Sequence, residues 1–398
     1  GTTMNELEAI IEQEKEKLIN SRKLRFLYLD EEDMIEAGVL DIAKCVDVME
    51  EAIGLLEDGD YIMGGPEHNS HGIMLEFPKE TDIPEFPIAD GADRRFIAMP
   101  AYLGGPFHLV GMKWYGSNGN NRRMGIPRSN LMVALNDVET GAPLAYMAAN
   151  LLSSVRTGAM PGLAARWLAR KDSKVLGLVG AGTIAKSCFR AIVANYPAIE
   201  KVKIKAGSLN SKTGHALKEF IEAHYPTIKK VEVVGTLEEA VRDSDIICEA
   251  SSVMPGNYPT YEKAWFKKGA TLIGTSFFRM KKDEMIDITK VVDNYKMFEE
   301  YGIEDEEGYD ENGIRNDTGC MGEEFYYMVE DGLITRDSVA NLGEIIRGKK
   351  PGRTSDDEII FVSIEGMPIE DVAWGSQIYK NAIENGIGQN LKIWDHSK

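Results

Sequence analysis

The sequence predicts an α/β protein of two domains, one a doubly wound parallel sheet and the other of mixed α+β structure. Three observations lead to this. The chain has 398 residues, which exceeds the roughly 250 to 300 residues at which single hydrophobic cores stop growing. Strand-like and helix-like segments alternate from about residue 175 to residue 292. A glycine-rich turn joins the first of these strands to its helix.

The N-terminal part predicts helices first and then a sheet. Residues 5–20 carry apolar side chains at helical spacing, residues 25–29 form a strand pattern, and Asp30 is placed to cap helices that run to about Gly59. Residues 64–93 are rich in Pro, Gly and His and predict a long loop, either functional or disordered. Further strands are predicted at residues 95–102, 109–115 and 131–136.

The central part predicts repeated βαβ units. A helix over about residues 153–170 leads into strands in VLGLVG, VKIKA, VEVVG, DIICEAS and TLIGTS, with helices between the first four. The order is typical of a parallel sheet with helices on both faces. From about Glu323 the sequence indicates helix and mixed structure.

The glycine-rich turn is the strongest single motif. Residues 175–179 form a buried-type strand, and GAGTIA follows at residues 180–185. Gly180 suits the tight turn, Gly182 allows the backbone to approach a pyrophosphate, and Ala185 permits close helix packing. With Thr183 and Ile184 this segment predicts a Rossmann dinucleotide site at a helix N-terminus. A merely structural glycine turn is the alternative.

The second strand of the stretch bears on the choice of cofactor. No Asp or Glu follows residues 202–206, where an NAD site would hold the ribose diol. Ser208, Asn210 and Lys212 could instead hold a 2′-phosphate, so we expect NADP(H) rather than NAD(H); a solvated turn is the alternative. The remaining predicted cofactor-binding residues are Asn130 and, at carboxyl ends of strands, Ser251, Ser252 and Ser276.

Two cations lie where a charge is costly. Lys113 interrupts an apolar strand, and Arg156 lies near the start of a predicted helix, where a cation is unfavourable unless it faces an anion. One interpretation is a pair that holds a substrate carboxylate. The other is two internal salt bridges.

Composition excludes several classes of partner. A formal net charge of −19 repels nucleic acid and anionic membranes, so we expect neither as a partner. The four cysteines are widely spaced and form no CxxC pair, which predicts buried thiols and no metal site. No leader-like succession opens the sequence, so a cytoplasmic location is expected.

Seven segments occur in order over most of the chain: MPAY at 99–102, GMKW at 111–114, LNDVETGAPLA at 135–145, LLSSVRTGAMPGLAARWLAR at 151–170, GAGTIA at 180–185, DSDIICEASS at 243–252 and FVSIEGMPIEDVAWGSQIY at 361–379. In these segments the sequence resembles the ornithine cyclodeaminase and μ-crystallin family. Such an ordered set is far more specific than the glycine motif alone.

The resemblance implies a homodimeric enzyme with a central Rossmann domain at residues 153–324. The substrate-binding and dimerisation domain would combine residues 1–152 and 325–398. Family members use NAD or NADP to interconvert a small amino acid and its imine. A small amino acid or imine is therefore the expected substrate.

The resemblance also assigns roles to residues. It implies that Lys113 and Arg156 bind the substrate, and that Ser363, Gly366 and Asp371 belong to a signature near the cofactor and substrate. Reduction of an imine whose carboxylate is held in place also requires a proton on the imine nitrogen. A buried lysine with a lowered pKa can supply it, so Lys113 is the predicted proton donor.

Two departures from the family pattern affect the expected reaction. Cyclodeaminases carry a catalytic Asp where this chain reads Ser276-Phe-Phe-Arg279. The family's early arginine has no clear match; Arg94 and Arg95 are candidates. His71 could act there as a second acid or base, although a loop histidine is usually only solvated.

Three functions remain open from the sequence. The first is an NAD(P)-dependent amino acid dehydrogenase or imine reductase. The second is an ornithine or lysine cyclodeaminase that releases ammonia, which the missing Asp disfavours. The third is a non-catalytic NADP(H)-binding protein of the crystallin type.

Overall fold

The computed structural model describes residues 5–89, 93–252, 257–304 and 308–396. The chain forms two compact units. Unit 1 contains residues 1–41, 58–156 and 367–398, and unit 2 contains residues 42–57 and 157–366. The N- and C-terminal parts of the sequence thus share one unit.

Unit 1 is built on a mixed sheet. Its strands are β1 (Lys23–Leu29), β2 (Tyr61–Met63), β3 (Ile73–Glu76), β4 (Arg95–Leu103), β5 (Leu109–Ser117), β6 (Ser129–Asp137), β7 (Pro143–Ala148) and β16 (Gln389–Asp395). Its helices are α1 (Glu6–Ser21), α2 (Glu31–Glu36) and α12 (Pro368–Asn385), with a 3-10 turn at Gly119–Met124. Asp30 forms a capping box at the start of α2, which confirms the predicted N-cap.

The strand order in unit 1 is β16-β1-β7-β6-β5-β4-β2, with β3 also paired to β4. All pairs are antiparallel except β1 with β7. Helix α12 covers one face: a Cβ on Gly111 would lie 3.0 Å from Val372 Cγ2. Glycine at this position therefore lets the helix approach the sheet closely. The other face exposes Phe96, Trp114 and Tyr146.

Unit 2 is built on a parallel sheet. Its strands are β8 (Val175–Val179), β9 (Lys201–Lys205), β10 (Lys230–Val233), β11 (Ile246–Glu249), β12 (Thr271–Gly274), β13 (Thr289–Val292), β14 (Val339–Asn341) and β15 (Ile360–Ser363). Its helices are α3 (Ile42–Asp58), α5 (Thr183–Asn195), α6 (Lys212–His224), α7 (Leu237–Val241), α8 (Lys282–Ile286), α9 (Tyr295–Glu304), α10 (Met321–Glu330) and α11 (Leu342–Ile346). Helix α4 (Asn150–Leu168) runs from unit 1 into unit 2.

The strand order in unit 2 is β10-β9-β8-β11-β12-β15-β13-β14, and every pair is parallel. Strands β11, β12 and β15 are buried at every position. Such burial is expected for parallel strands covered on both faces. The predicted doubly wound sheet is confirmed, and its carboxyl edge is where ligands of such sheets bind.

The boundaries of the two units differ from those predicted from the sequence. Strands β14 and β15 belong to the parallel sheet, and β15 lies between β12 and β13. Residues 325–366 therefore belong to unit 2, and the division falls after residue 366 instead of residue 324. The first division follows residue 156, within α4, and residues 42–57 also belong to unit 2.

Two local predictions also need correction, and one strand was not predicted. The predicted loop at residues 64–93 contains strand β3, and the strand that was not predicted is β7, which begins at Pro143. Helix α4 begins at Asn150, so Arg156 lies in its second turn and away from its N-terminus. The four cysteines are buried, as expected. Among the described residues, no helix is long and apolar enough to cross a membrane.

Candidate functional site

Lys113 lies inside unit 1 on β5, with 3% of its surface exposed. Strand alternation turns it to the face covered by α12, opposite the face that exposes Trp114. Its Nζ is 3.3 Å from Asp371 Oδ1 and donates a hydrogen bond to Ser153 Oγ at 3.2 Å. The ammonium is therefore held by one carboxylate of α12 and one hydroxyl of α4.

Arg156 binds two carboxylates of the same helix. Its Nε and Nη2 donate to the two oxygens of Asp371 at 2.8 and 3.3 Å, and Nη1 donates to Glu370 Oε1 at 3.1 Å. Both acids lie in the first turn of α12, where negative charge is favourable. These contacts are the internal salt bridges of the second interpretation. A guanidinium has five N–H groups, so these contacts among the described residues leave two for another ligand.

Burial and neighbouring charges set the protonation of this cluster. Burial, followed by the nearby Arg156, lowers the pKa of Lys113 to about 8, against an opposing effect of Asp371. Burial alone would raise the pKa of Asp371, but Arg156 and Lys113 hold it below its ordinary value. Asp371 is therefore ionised at neutral pH, while Lys113 is close to its titration point. Such a lysine can both hold and transfer a proton.

Tyr115 is a polar residue of this region that the sequence analysis missed. It follows Lys113 by two positions on β5, and its ring centroid is 5.7 Å from Lys113 Nζ. Burial raises the pKa of Tyr115, and the charges of Arg95 and Arg156 oppose this. Tyr115 could have been found from the sequence, because side chains two positions apart on a strand lie on the same face and Lys113 was already a candidate. Arg95 itself pairs with Asp93 at 3.1 Å.

Other predicted residues of unit 1 lie elsewhere. Asn130 pairs with Gly116 in the register of β6 and β5, so it is on the face opposite Lys113. It is exposed and lines an open groove with Phe77, Phe86 and Phe96. The structure does not bring Asn130 to the lysine. His71 is half-buried before β3, and His68 is exposed in the preceding turn.

The glycine motif in unit 2 has the geometry needed for a dinucleotide. Gly180 has a φ of +114°, and a Cβ there would lie 2.6 Å from Ala250 O. A Cβ on Gly182 would meet no atom of the described residues within 4 Å, so the backbone there is open to a ligand. Helix α5 begins at Thr183 without a side-chain cap, and Ala185 in its first turn is buried. The residues present therefore fit a pyrophosphate at this helix N-terminus.

The loop after β9 is accessible. Ser208 and Asn210 are exposed, and so is Lys212, the first residue of α6. Ser211 caps that helix by accepting a hydrogen bond from Gly214 N at 3.1 Å. The three exposed side chains are thus free to meet a ligand at the end of the second strand.

A buried carboxylate lies among the predicted serines at the carboxyl edge. Glu249, the last residue of β11, is 1% exposed. Its Oε1 accepts hydrogen bonds from Ser251 N and Oγ at 2.9 and 2.7 Å, and its Oε2 accepts one from Ser276 Oγ at 2.8 Å. Ser252, by contrast, is exposed. The serines were predicted from the sequence, whereas the acid that holds two of them was not.

The C-terminal signature is divided between the units. Gly366, in unit 2, has a φ of +94° and donates its N–H to Asp293 Oδ2 at 3.2 Å. Ser363 ends β15, and its Oγ accepts a hydrogen bond from Gly322 N at 3.0 Å. Asp371 belongs to the cluster of unit 1. Gly366 is therefore part of a backbone turn on Asp293 and lies outside the lysine cluster's unit.

Fold and site together define a class of protein. A parallel sheet with a glycine turn open to a pyrophosphate, and a second unit with a buried lysine able to transfer a proton, are typical of a dinucleotide-dependent enzyme. The chain belongs to the ornithine cyclodeaminase/mu-crystallin family, whose model matches residues 39–386. The family resemblance expected from the sequence is thereby confirmed.

Known proteins support the class. The chain is 28% identical to N-((2S)-2-amino-2-carboxyethyl)-L-glutamate dehydrogenase of Staphylococcus aureus, over 92% of this chain and 98% of the relative. It is 28% identical to Δ1-pyrroline-2-carboxylate reductase of Bacillus cereus, over 80% of this chain and 92% of that protein. A solved archaeal alanine dehydrogenase dimer with bound NAD has a TM-score of 0.72 at 28% identity, covering 93% of this chain and all of that one. The predicted oxidoreductase of an amino acid or imine is confirmed at this level.

Proposed function

We propose that this chain reduces the imine of a small 2-keto acid to the amino acid, and catalyses the reverse oxidation, with Lys113 as proton donor and acceptor. One observation carries the proposal. Lys113 is a buried amine whose pKa is lowered to about 8 and which is held in place by Asp371 and Ser153. A group that titrates near the working pH is suited to proton transfer.

The residues of unit 1 have separate tasks in this reaction. A bound nicotinamide cofactor supplies or accepts the hydride at the substrate carbon. Lys113 gives its Nζ proton to the substrate nitrogen as the C=N bond is reduced, and takes it back in the oxidation. Arg156 keeps Asp371 in place and offers its two remaining N–H groups to the substrate carboxylate. We also propose that His71 acts as a second acid or base and that Arg95 takes the place of the family's early arginine in binding the substrate.

The test is nicotinamide absorbance with a panel of substrates. The panel contains pyruvate with ammonium, Δ1-pyrroline-2-carboxylate, L-alanine, L-proline, L-lysine, L-ornithine and N-((2S)-2-amino-2-carboxyethyl)-L-glutamate. Lys113→Met should lower kcat by at least about 100-fold, the effect of losing a general acid. The matched control is Lys290→Met. Lys290 is also buried, and burial lowers its pKa to about 8, but its Nζ donates to the carbonyls of Ile286 and Ile288 in unit 2.

Two outcomes would overturn this proposal. Equal activity of Lys113→Met and Lys290→Met would remove Lys113 from the chemistry. Ammonia release from L-ornithine or L-lysine with no net absorbance change would instead show a cyclodeaminase. That result would show that a chain with Ser276 in place of the cyclodeaminase Asp can still catalyse cyclodeamination.

We further propose NADP(H) as the preferred cofactor. The residues that follow β9 carry no carboxylate, whereas Ser208, Asn210 and Lys212 are exposed there and can bind a 2′-phosphate. Lys212→Ala should weaken NADPH binding about 10-fold, the loss of one exposed phosphate contact, and leave NADH binding unchanged. An equal effect on both cofactors, or none, would favour a solvated turn.

We also propose that unit 1 forms a homodimer through its open sheet face. Phe96 and Trp114 stack there with ring centroids 5.8 Å apart, and Tyr146 is 37% exposed on β7. An apolar face of this kind is uncommon on a monomer. Trp114→Arg should convert a dimer into a monomer in light scattering coupled to size exclusion. A wild-type monomer would refute the proposal.

A further inference from the structure

Glu249 binds three hydrogen-bond donors inside unit 2. They are Ser251 N, Ser251 Oγ and Ser276 Oγ, at 2.9, 2.7 and 2.8 Å. The chain around the acid is fixed as well, because Thr275 N and Oγ1 both donate to the main-chain oxygen of Glu249, at 3.1 and 2.9 Å. The carboxylate, the two serines and Thr275 thus form one connected unit across the ends of β11 and β12.

This arrangement determines what the two hydroxyls can bind. A serine hydroxyl has one proton to donate and two lone pairs that accept. Burial raises the pKa of Glu249, and the hydrogen bonds from Ser251 and Ser276 oppose that rise. While Glu249 is ionised, the protons of both hydroxyls are used on it, so each hydroxyl can only accept from a further partner. Both serines are half-buried, whereas Glu249 is 1% exposed. A ligand at this edge therefore meets two acceptors and does not meet the carboxylate.

The position of the pair indicates which ligand is concerned. β11 pairs with β8 on one side and with β12 on the other. A Cβ on Gly180 would lie 3.0 Å from Ser251 N, so Ser251 adjoins the glycine turn that fits the pyrophosphate. In a doubly wound sheet the dinucleotide crosses from the first half of the sheet to the second. The serines lie on that second half, where the nicotinamide end and the reacting substrate nitrogen belong.

We propose that Glu249 is a positioning residue that makes Ser251 and Ser276 an acceptor-only pair, and that this pair binds an N–H donor. The donor is the carboxamide NH₂ of the nicotinamide or the nitrogen of the amine or iminium substrate. The inference rests on the proposed function, since it requires a nicotinamide cofactor at this edge. A glutamine in place of Glu249 has an NH₂ of its own to donate, which turns one serine proton towards the ligand.

The first test measures cofactor binding by protein fluorescence, without turnover. Dissociation constants are compared for the oxidised cofactor and for its 3-acetylpyridine analogue, in which a methyl group replaces the carboxamide NH₂. If the pair binds the carboxamide, wild-type protein prefers the natural cofactor by roughly 5- to 20-fold, the effect of one well-placed hydrogen bond. Glu249→Gln and Ser276→Ala should reduce that ratio to within about 2-fold. Ser276→Thr keeps the hydroxyl and should retain the wild-type ratio.

The second test addresses the substrate nitrogen. With reduced cofactor bound, the affinity for the amino acid that supports turnover is compared with that for the acid lacking its amino group. A change in this ratio alone in Glu249→Gln and Ser276→Ala assigns the donor to the substrate. The control in both tests is Asp293→Asn, which removes a buried carboxylate of unit 2 that accepts from the N–H groups of Glu365 and Gly366 and binds neither serine.

The possible outcomes separate the inference from the proposed function. Wild-type protein that binds neither NADP nor NAD would overturn both. Cofactor binding with both ratios unchanged in Glu249→Gln and Ser276→Ala would overturn the acceptor pair alone. If Glu249→Gln fails to fold, Ser276→Ala decides, because it removes one half-buried hydroxyl and leaves the charge in place.

Discussion

Asp371 is the group on which the positive charges of unit 1 depend, and its replacement by Asn should destabilise that unit strongly. At an effective dielectric constant of about 20, unit charges 2.8 and 3.3 Å apart attract by about 6 and about 5 kcal/mol. Asn at this position avoids the desolvation cost of burying a carboxylate, which offsets several kcal/mol of the lost attraction. The net cost should be about 3 to 5 kcal/mol, the usual loss when one partner of a buried ion pair is removed.

Urea unfolding followed by tryptophan fluorescence measures this cost, since Trp374 is fully buried three residues further along the same helix. The control is Asp395→Asn. Asp395 also pairs with an arginine in unit 1, Arg25 at 2.7 Å, but its side chain is 40% exposed. Its loss should cost much less than that of Asp371, because solvent screens an exposed ion pair. Equal effects of the two variants would refute the view that the Arg156 and Lys113 charges depend on Asp371.

Three further predictions concern pH and the glycine turn. Lys113 has a pKa of about 8 in the folded state against an ordinary 10.5, so the unfolded chain binds more protons between these two values. The free energy of unfolding should therefore rise from pH 8 to pH 10.5. Lys113→Met should abolish this contribution, as measured by urea unfolding at a series of pH values. Burial raises the pKa of Asp293 to about 6 from 3.8, so the free energy of unfolding should fall as pH rises across that interval, and the fall should be absent in Asp293→Asn. Gly180→Ala places a Cβ 2.6 Å from a carbonyl at positive φ and should lower Tm. Gly182→Ala meets no atom within 4 Å in the described part of the chain, so it should keep Tm but lose at least about 10-fold in cofactor affinity; the opposite pattern would contradict the assigned roles.

The parallel sheet could be predicted from the sequence only where the chain order follows a local βαβ pattern. The glycine motif located β8 and its helix, and the strands up to β13 follow by alternation. Strand β15 could not be predicted in this way, because a four-residue apolar run such as IFVS cannot be distinguished from a buried helix segment by periodicity. Its place between β12 and β13 depends on contacts that sequence spacing does not encode.

The candidate site was predictable to the extent that a buried charge is costly. That cost identified Lys113 and Arg156, but their partner Asp371 lies 215 residues beyond Arg156. No spacing rule could pair them, and only the family resemblance indicated Asp371. Glu249 was missed, although an acid at the end of an apolar strand is itself a costly placement. The same argument that selected Lys113 would have selected Glu249.

Asp371 and Glu249 act on donors in a related way, and this decides how the variants should be interpreted. Asp371 turns the fork of Arg156 and the ammonium of Lys113, and Glu249 turns two serine hydroxyls. Neither carboxylate is exposed to a ligand, with exposures of 0% and 1%. Glu249→Gln keeps the shape of the side chain but reverses one hydrogen bond, so loss of binding without loss of fold is expected there. Asp371→Asn also leaves Arg156 and Lys113 with less negative charge beside them, so loss of stability is expected together with any loss of binding. In Glu249→Gln, loss of both together would instead show that the charge serves the packing of unit 2.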